Sequence, residues 1–153
     1  MIRRNAVSNS IDEKTFEARE LLWGKEAAIS RLLKETKLGD NGIDIVLVSD
    51  CLNPIYGEDS YEKLATTIVA LCSASPTAVA FLAYEHRDGG GEASKSLLAH
   101  FFSFIRKTML VEMVHRVDDI DIFCMKNKSP GRMSDIAEQA TTAPSKSKSE
   151  EAT

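Results

Sequence analysis

Two apolar runs constrain the fold of this chain more than any other feature of its sequence. Residues 43–49 read Ile-Asp-Ile-Val-Leu-Val-Ser, and residues 77–84 read Thr-Ala-Val-Ala-Phe-Leu-Ala-Tyr. Nearly continuous runs of this kind are typical of strands that are covered on both faces. Between them, residues 59–73 place Leu64 and Ile68 on one helical stripe. Strand, helix and strand in this order predict two parallel strands joined by a helix.

Three further segments extend this pattern. Residues 15–22 alternate as a strand would, with Phe16 and Leu22 on the same side. Residues 25–35 predict a short helix, and residues 94–107 predict a second amphipathic helix. Each helix follows a predicted strand, as expected of a layered α/β domain.

The last predicted element of the domain is a hairpin. Residues 109–117 and 120–125 each alternate with period two, and Asp118 and Asp119 lie between them as a turn. The predicted fold is therefore α/β, with a mostly parallel sheet and a C-terminal antiparallel hairpin at its edge.

Composition excludes several classes of protein. The 153 residues carry 19 Lys and Arg against 23 Asp and Glu, which gives a net charge of -4. A general nucleic-acid binder needs an excess of basic residues, so we expect no nucleic-acid partner. The longest apolar runs fall short of the roughly 18 residues that span a bilayer, so we expect no membrane partner either. The N-terminus has no apolar segment behind its charges and does not predict a signal peptide.

The cysteines indicate a reducing compartment. Cys51, Cys72 and Cys124 are odd in number and far apart in the sequence. We interpret them as buried thiols, with a Cys/His nucleophile as an open alternative, and their spacing does not indicate zinc. The expected localisation is the cytoplasm, with the nucleus as a second compartment.

The chain changes character near residue 127. Residues 127–153 contain no aromatic side chain and are rich in Ser, Ala, Thr and Lys. Such a segment cannot bury enough apolar area to offset its chain entropy. We predict a folded domain over residues 1–126 and a disordered tail over residues 127–153, with a short helix near residues 133–140.

Candidate functional residues follow the predicted strands. In parallel α/β sheets, ligands bind beyond the carboxyl ends of the strands. Residues 23–24, 49–53 and 84–87 occupy these positions. The glycines at 89–91 also follow a strand, but they lack the spacing of a phosphate-binding loop, so we interpret them as a flexible connection.

Four motifs around these positions resemble one known family. They are Leu22-Trp23-Gly24, the run from Asp44 to Cys51, the run from Ala83 to Arg87, and the run from Asp119 to Phe123. In this order and spacing they are similar to the seven-β-strand, S-adenosylmethionine-dependent lysine methyltransferases, methyltransferase family 16. Asn5 and Asn9 resemble the asparagine pair that closes the helix before the family's Trp-Gly strand. The resemblance runs to about Lys126 and implies a partial methyltransferase domain over residues 1–126.

This resemblance implies a cofactor and roles for the residues around it. The implied cofactor is S-adenosylmethionine, with Trp23 beside its adenine and with Ser49 and Asp50 bordering both the cofactor and the incoming lysine. The implied catalytic positions are Asp50 and Asn53. The implied substrate-side residues are Tyr56, Tyr84, Glu85 and Arg87. The implied partner is a protein that presents the target lysine.

The same residues also have structural interpretations, which the sequence leaves open. Trp23 could fill a core, and Asp50 could cap a helix. Tyr56 could pack rather than bind. Glu85 and Arg87 could form an ion pair that braces the end of a strand.

Two departures from the family pattern bear on activity. The family motif Asp-x-x-Tyr reads Asp-Cys-Leu-Asn at residues 50–53, so that an amide replaces the ring, although Tyr56 lies close enough to substitute for it. In addition, nothing before Asn5 matches the glycine-rich strand and turn that cradle the methionine part of the cofactor. Nothing before Asn5 matches the family's second strand either, which ends in the acidic residue that binds the ribose hydroxyls.

The unmatched strands also predict an exposed edge. In this fold they lie between the strands predicted at residues 15–22 and 43–49, so the second strand would present an unpaired apolar edge that favours self-association. We expect an S-adenosylmethionine-dependent protein-lysine methyltransferase-like protein that is truncated, with weak or no cofactor binding by the chain alone. The resemblance implies an enzyme, and an inactive form is the open alternative. The alternative is a non-catalytic interaction protein that binds a partner through its sheet edge.

Overall fold

The computed structural model describes residues 2–12, 14–36, 42–57, 59–86 and 91–128. Its helices are α1 (Ile2–Ser8), α2 (Glu26–Glu35), α3 (Ser60–Ser73) and α4 (Gly91–Ile105). Its strands are β1 (Ile45–Ser49), β2 (Val79–Glu85), β3 (Met109–Val117) and β4 (Ile120–Asn127). A 3₁₀ turn (Pro54–Tyr56) lies between β1 and α3.

The strands form one sheet in the order β1-β2-β4-β3. β1 and β2 are parallel, with Ile45 opposite Val79 and Ser49 opposite Ala83. β2 pairs with β4 and β4 pairs with β3, both antiparallel. The predicted α/β class is therefore confirmed: the chain forms a small α/β domain, a partial Rossmann-like sheet with a C-terminal antiparallel hairpin. The expectation of a mostly parallel sheet is wrong for the described strands, because residues 15–22 add no strand and only β1 and β2 pair in parallel.

One face of the sheet carries the hydrophobic core. α3 and α4 each have an apolar stripe, and both stripes pack against the same side of the strands. The buried side chains at this contact include Ile68, Cys72, Phe101 and Ile105 from the helices, and Val48, Leu82, Phe123 and Met125 from the sheet. Burial of one such side chain contributes about 1.5–3 kcal/mol. Burial also raises the pKa of the Cys72 thiol to about 11, so this cysteine stays protonated.

The opposite face of the sheet is open at β1. Ile45 and Leu47 point away from the core and are 57% and 79% exposed, whereas Val48 is buried. The prediction that residues 43–49 are covered on both faces is therefore wrong for one face. Both faces of an apolar strand are buried only where a separate layer packs on each face of the sheet. Here α3, which contacts both β1 and β2, lies on the face to which Val48 points.

Residues 15–22, predicted as a strand, do not form one. Leu21 packs against the small cluster around Ile29 of α2, and Leu22 is exposed. Alternation shows which side a strand would bury, but a strand exists only where a neighbour completes its hydrogen bonds. In the described sheet β1 pairs only with β2, so residues 15–22 have no strand beside them.

Hydrogen bonds fix both described ends of the chain. Asn9 donates its side-chain amide to the Asn5 carbonyl at 2.8 Å and thereby closes α1. At the other end, Asn127 Nδ2 donates to the Cys72 carbonyl at 2.9 Å, and Lys128 Nζ donates to the carbonyl that follows α4 at 2.7 Å. β4 thus ends at Asn127, one residue beyond the predicted boundary at 126.

Several predictions fall outside the described residues. They concern the tail from residue 129 onward, the helix near residues 133–140, Arg87, and the glycines at 89 and 90. The disorder of the tail and the role of Arg87 stay predictions. The third glycine, Gly91, begins α4.

The β3–β4 hairpin is closed by a buried carboxylate. Asp118, with φ 50°, and Asp119 form the predicted turn. Asp121 is only 3% exposed and accepts hydrogen bonds from Arg116 Nε, from Arg116 Nη2 at 2.8 Å, and from His86 Nε2 at 2.7 Å. The Arg116 bonds lower the pKa of Asp121 from 3.8 to about 2 against the opposing effect of burial, and the His86 bond adds to this lowering.

Replacing Asp121 with Asn should therefore lower the free energy of unfolding by about 1–2 kcal/mol at neutral pH, a figure reduced by the exposure of Arg116 to solvent. Because the folded pKa lies below the unfolded one, this stabilisation is complete above about pH 4 and is lost as the pH falls from 3.8 toward 2. Urea unfolding at several pH values measures the difference in free energy of unfolding between wild type and Asp121→Asn. This difference should shrink toward zero as the pH falls from 3.8 toward 2. Asp119→Asn is the control, since Asp119 is exposed in the same hairpin. A difference that stays constant across the range would contradict the assignment.

Candidate functional site

The carboxyl ends of β1 and β2 meet at one edge of the sheet. Ser49 lies opposite Ala83, so the segments that follow these two residues leave the sheet side by side. Asp50 and Glu85 are both exposed there. The structure thus brings predicted residues of two segments together, at the position where parallel α/β sheets bind ligands.

Asp50 leaves β1 in the left-handed backbone conformation, with φ 55°. Aspartate adopts this conformation more readily than most residues, and such backbone strain clusters at functional sites. The Cys51 thiol donates to the Ser49 carbonyl at 3.3 Å. Burial, with a smaller contribution from the charge of Asp50, raises the pKa of Cys51. This cysteine is therefore protonated at neutral pH and is a poor nucleophile.

Trp23 and Gly24 are held against α3. The Gly24 amide donates to Thr67 Oγ1 at 2.9 Å, and the Thr67 hydroxyl donates to the Lys63 carbonyl at 2.8 Å. Gly24 has φ +71°, and a Cβ at this position would lie 2.9 Å from Lys63 Cγ. Both the backbone conformation and the close approach of α3 favour glycine here. Together they fix the point at which the Trp23 side chain leaves the backbone.

The Trp23 ring contacts Tyr56 edge-on. The ring centroids are 5.8 Å apart and the ring planes meet at 70°. Trp23 is half-buried against the main core, and Tyr56 is 54% exposed. The short 3₁₀ turn holds Tyr56 in place, because Asn53 Oδ1 accepts the Ile55 amide at 3.1 Å and caps that turn. Trp23 therefore fills part of the core and also presents ring surface beside a second aromatic ring.

Tyr84 and Glu85 lie on opposite sides of β2. Tyr84 is buried on the side of the helices, with its ring 5.1 Å from the His86 ring, centroid to centroid. Glu85 is exposed on the other side. Asn53, as described, caps the 3₁₀ turn. The catalytic and substrate-side roles of these residues stay predictions.

The geometry at the end of β1 fits the cofactor that the family resemblance implies. An accessible indole beside a second ring suits a flat base such as adenine. The exposed Asp50 carboxylate and the Tyr56 ring suit an ammonium group. Within the described part of the chain, no three His, Cys, Asp or Glu side chains are grouped to hold a metal ion. In the same residues, no helix has the length and apolar character needed to cross a membrane.

Sequence reasoning missed the cluster around Asp121. His86, Arg116 and Asp121 meet where β2 ends beside the hairpin. One signal was available, because Asp121 shares its side of β4 with Phe123 and Met125 and thus places an acid in the buried register of that strand. A charge in such a position requires charged partners nearby.

Comparisons with known proteins identify the family of the chain. The sequence model of a family described as lysine methyltransferase matches residues 1–108. Secreted RxLR effector protein 48 of Plasmopara viticola is 34% identical over 112 residues, which are 72% of this chain and 51% of that protein. Protein-lysine N-methyltransferase EFM6 of Saccharomyces cerevisiae is 30% identical over 109 residues, which are 70% of this chain and 39% of that protein.

The chain thus spans about half the length of the first of these relatives and less of the second. The family match includes the Trp-Gly segment, the end of β1 and the end of β2, which are the segments that form the candidate site. It also covers well over half of the 153 residues. The chain belongs to the lysine methyltransferase family.

Proposed function

We propose that this chain forms the adenine-facing and lysine-facing part of an S-adenosylmethionine-dependent protein-lysine methyltransferase. The observation that carries the proposal is the Trp23–Tyr56 ring pair, whose second ring belongs to the segment that leaves β1 at Asp50. Family membership supports it, as does the similarity to a protein named as a protein-lysine N-methyltransferase.

The main chemical problem at such a site is the protonation of the acceptor. A lysine of pKa about 10.4 is neutral in about one molecule in 2,500 at pH 7, which corresponds to about 4.6 kcal/mol. When bound, S-adenosylmethionine supplies a methyl group activated by a positively charged sulfur. The Asp50 carboxylate would attract the lysine ammonium, and the Tyr56 ring would orient it.

The remaining steps concern the proton and the alignment of the amine. Loss of water around the bound lysine favours its neutral form. The released proton passes through the exposed Asp50 carboxylate to solvent, and the amine lone pair then points at the methyl carbon. Asp50 would therefore hold the ammonium charge first and accept its proton before the methyl transfer.

We infer that residues 1–153 bind the whole cofactor weakly. They supply aromatic rings for the adenine and a carboxylate for the acceptor. They do not include a match to the glycine-rich strand and turn, or to the acidic strand end, that the family resemblance assigns to the methionine and ribose parts.

Fluorescence tests the adenine side directly, because Trp23 is the single tryptophan of the chain. Adenosine should quench its emission saturably, and S-adenosylmethionine should bind little more tightly than adenosine. Tyr56→Ala should weaken adenosine binding about tenfold, since one aromatic contact to a base is worth about 1–3 kcal/mol. Tyr56→Phe, which keeps the ring, is the matched control. Equal quenching by uridine, or tight calorimetric binding of S-adenosylmethionine, would contradict the proposed half site.

Methyl transfer tests the acceptor side. With labelled S-adenosylmethionine at high concentration and lysate proteins as acceptors, we expect slow labelling that falls about tenfold or more in Asp50→Asn. Asn tolerates the left-handed backbone, so this variant removes the charge and leaves the turn intact. Cys51→Ser is the neighbouring control. Unchanged labelling in Asp50→Asn would remove Asp50 from the mechanism. A chain that neither binds adenosine nor labels protein would overturn the proposal.

A second candidate function rests on the edge of β1. In the described sheet this strand pairs on one side only, and its five residues, Ile-Val-Leu-Val-Ser, include no charged side chain. β3, the other edge strand, carries Glu112, His115 and Arg116, which discourage edge pairing. We propose that β1 is an interaction surface and that its occupant is a second copy of the chain.

Self-pairing suits the sequence of β1. An antiparallel pair with Val46 opposite Val46 places Ile45 opposite Leu47 of the second copy. These exposed side chains would then form one apolar strip on the open face. In this register Asp44 lies opposite Val48 and Asp50 lies opposite Gly42, so no two acids are directly opposite each other across the pair.

Size-exclusion chromatography with light scattering tests this association. The wild-type mass should rise toward that of a dimer with increasing concentration, and Leu47→Lys should weaken the association about tenfold or more, because it places a charge at the centre of the edge. Leu110→Lys is the matched control, since Leu110 is an exposed leucine on the opposite edge strand. A wild type that is monomeric at every concentration would overturn the second candidate, and so would an equal effect of Leu110→Lys.

A further inference from the structure

A cavity of about 410 Å³ lies between the end of β2 and α4. It is distinct from the surface around Trp23 and Asp50. Its apolar wall includes Tyr84, Leu98 and Phe102, and its basic side chains are His86, Lys95 and Arg106. Cavities that hold small organic molecules are about 300–1,000 Å³ and are mostly apolar, with a few placed polar groups.

The helix α4 arranges charge and apolar surface in one line. Lys95, Leu98, Phe102 and Arg106 follow the three- and four-residue spacing of one helical face, so that a cation stands at each end of an apolar stretch. The Arg106 guanidinium lies 4.9 Å from the centre of the Phe102 ring. This contact holds a positive charge at the rim of the apolar wall.

The Asp121 cluster orients the opposite side of the cavity. Asp121 is ionised, so His86 Nε2 carries the proton of their 2.7 Å hydrogen bond. The charge of Asp121 is matched by Arg116, which donates two hydrogen bonds to it. Among the described residues that line the cavity no side chain is acidic, so Lys95 and Arg106 leave it electropositive.

We propose that this cavity binds a small organic anion, a carboxylate or phosphate attached to a flat apolar group. The apolar group lies on Tyr84, Leu98 and Phe102, and the anionic group is held by Lys95 or Arg106. Size and chemistry favour a small molecule, because the cavity is a pocket of limited volume beside one helix. The site does not depend on methyl transfer at the end of β1.

Phenyl phosphate is the probe, titrated into the full chain and followed by amide chemical shifts in ¹⁵N-¹H correlation spectra. Saturable shifts should centre on Ala99 and Ser103, which line the cavity. Phenol lacks the charge and inorganic phosphate lacks the ring. Each should therefore bind at least about tenfold more weakly than phenyl phosphate. Benzoate should bind within the same range as phenyl phosphate. Inorganic phosphate that binds as tightly as phenyl phosphate would mean an adventitious ion only and would overturn the proposal.

Charge-matched variants decide whether the cavity itself is responsible. One of the two variants Arg106→Gln and Lys95→Gln, the one that removes the cation holding the phosphate, should weaken phenyl phosphate binding about tenfold. Lys107→Gln removes the same charge one residue away, where the ammonium lies over the Phe104 ring at 5.1 Å, and should change binding less than about twofold. All three residues are exposed, so the variants should fold. Equal weakening by Lys107→Gln, or shifts scattered over the whole surface, would overturn the assignment.

Discussion

The packing of α3 against the sheet is the interaction on which the rest of the structure depends. α3 buries Ile68 and Cys72 under the parallel strands, and through Thr67 it also holds the Gly24 amide. The Trp-Gly segment has no strand of its own to pair with in the described sheet, so α3 determines where Trp23 lies. A helix that stabilises the core thus also places the ring proposed to contact adenine.

One-sided coverage of the sheet connects both candidate functions. The helices stabilise the Val48 side and leave Ile45 and Leu47 in solvent. The methyl-transfer proposal uses side chains that follow the carboxyl end of β1, whereas the association proposal uses backbone groups along its edge. The two proposals therefore use different atoms: side chains beyond Ser49 in one, and backbone groups of β1 itself in the other.

Periodicity predicted the elements that bury a clear stripe, because the pattern of a helix or strand states which side chains can share a face. It failed for residues 15–22 and for the second face of β1, because both depend on what lies beside the element and not on its own sequence. The sequence placed Tyr56 close enough along the chain to replace the missing tyrosine after Asp50, but it did not predict the contact of Tyr56 with Trp23, which depends on the 3₁₀ turn at residues 54–56. The Asp121 cluster was not predicted either, because it requires the cross-strand pairing of Arg116 with Asp121 beyond a register shift in β3.

The hydrogen bonds at the end of β4 have a consequence for attaching this protein to a surface or a label. β4 runs antiparallel to β2, so Asn127 lies near the beginning of β2 and away from the edge where Asp50 and His86 lie. Lys128 is bound to carbonyl groups just after α4 at the same far edge. A tether coupled at this point starts at the end of the sheet remote from Asp50 and His86, although it lies beside Arg106, which lines the proposed anion cavity. Immobilisation through the C-terminal side therefore leaves the carboxyl ends of the parallel strands facing the solution.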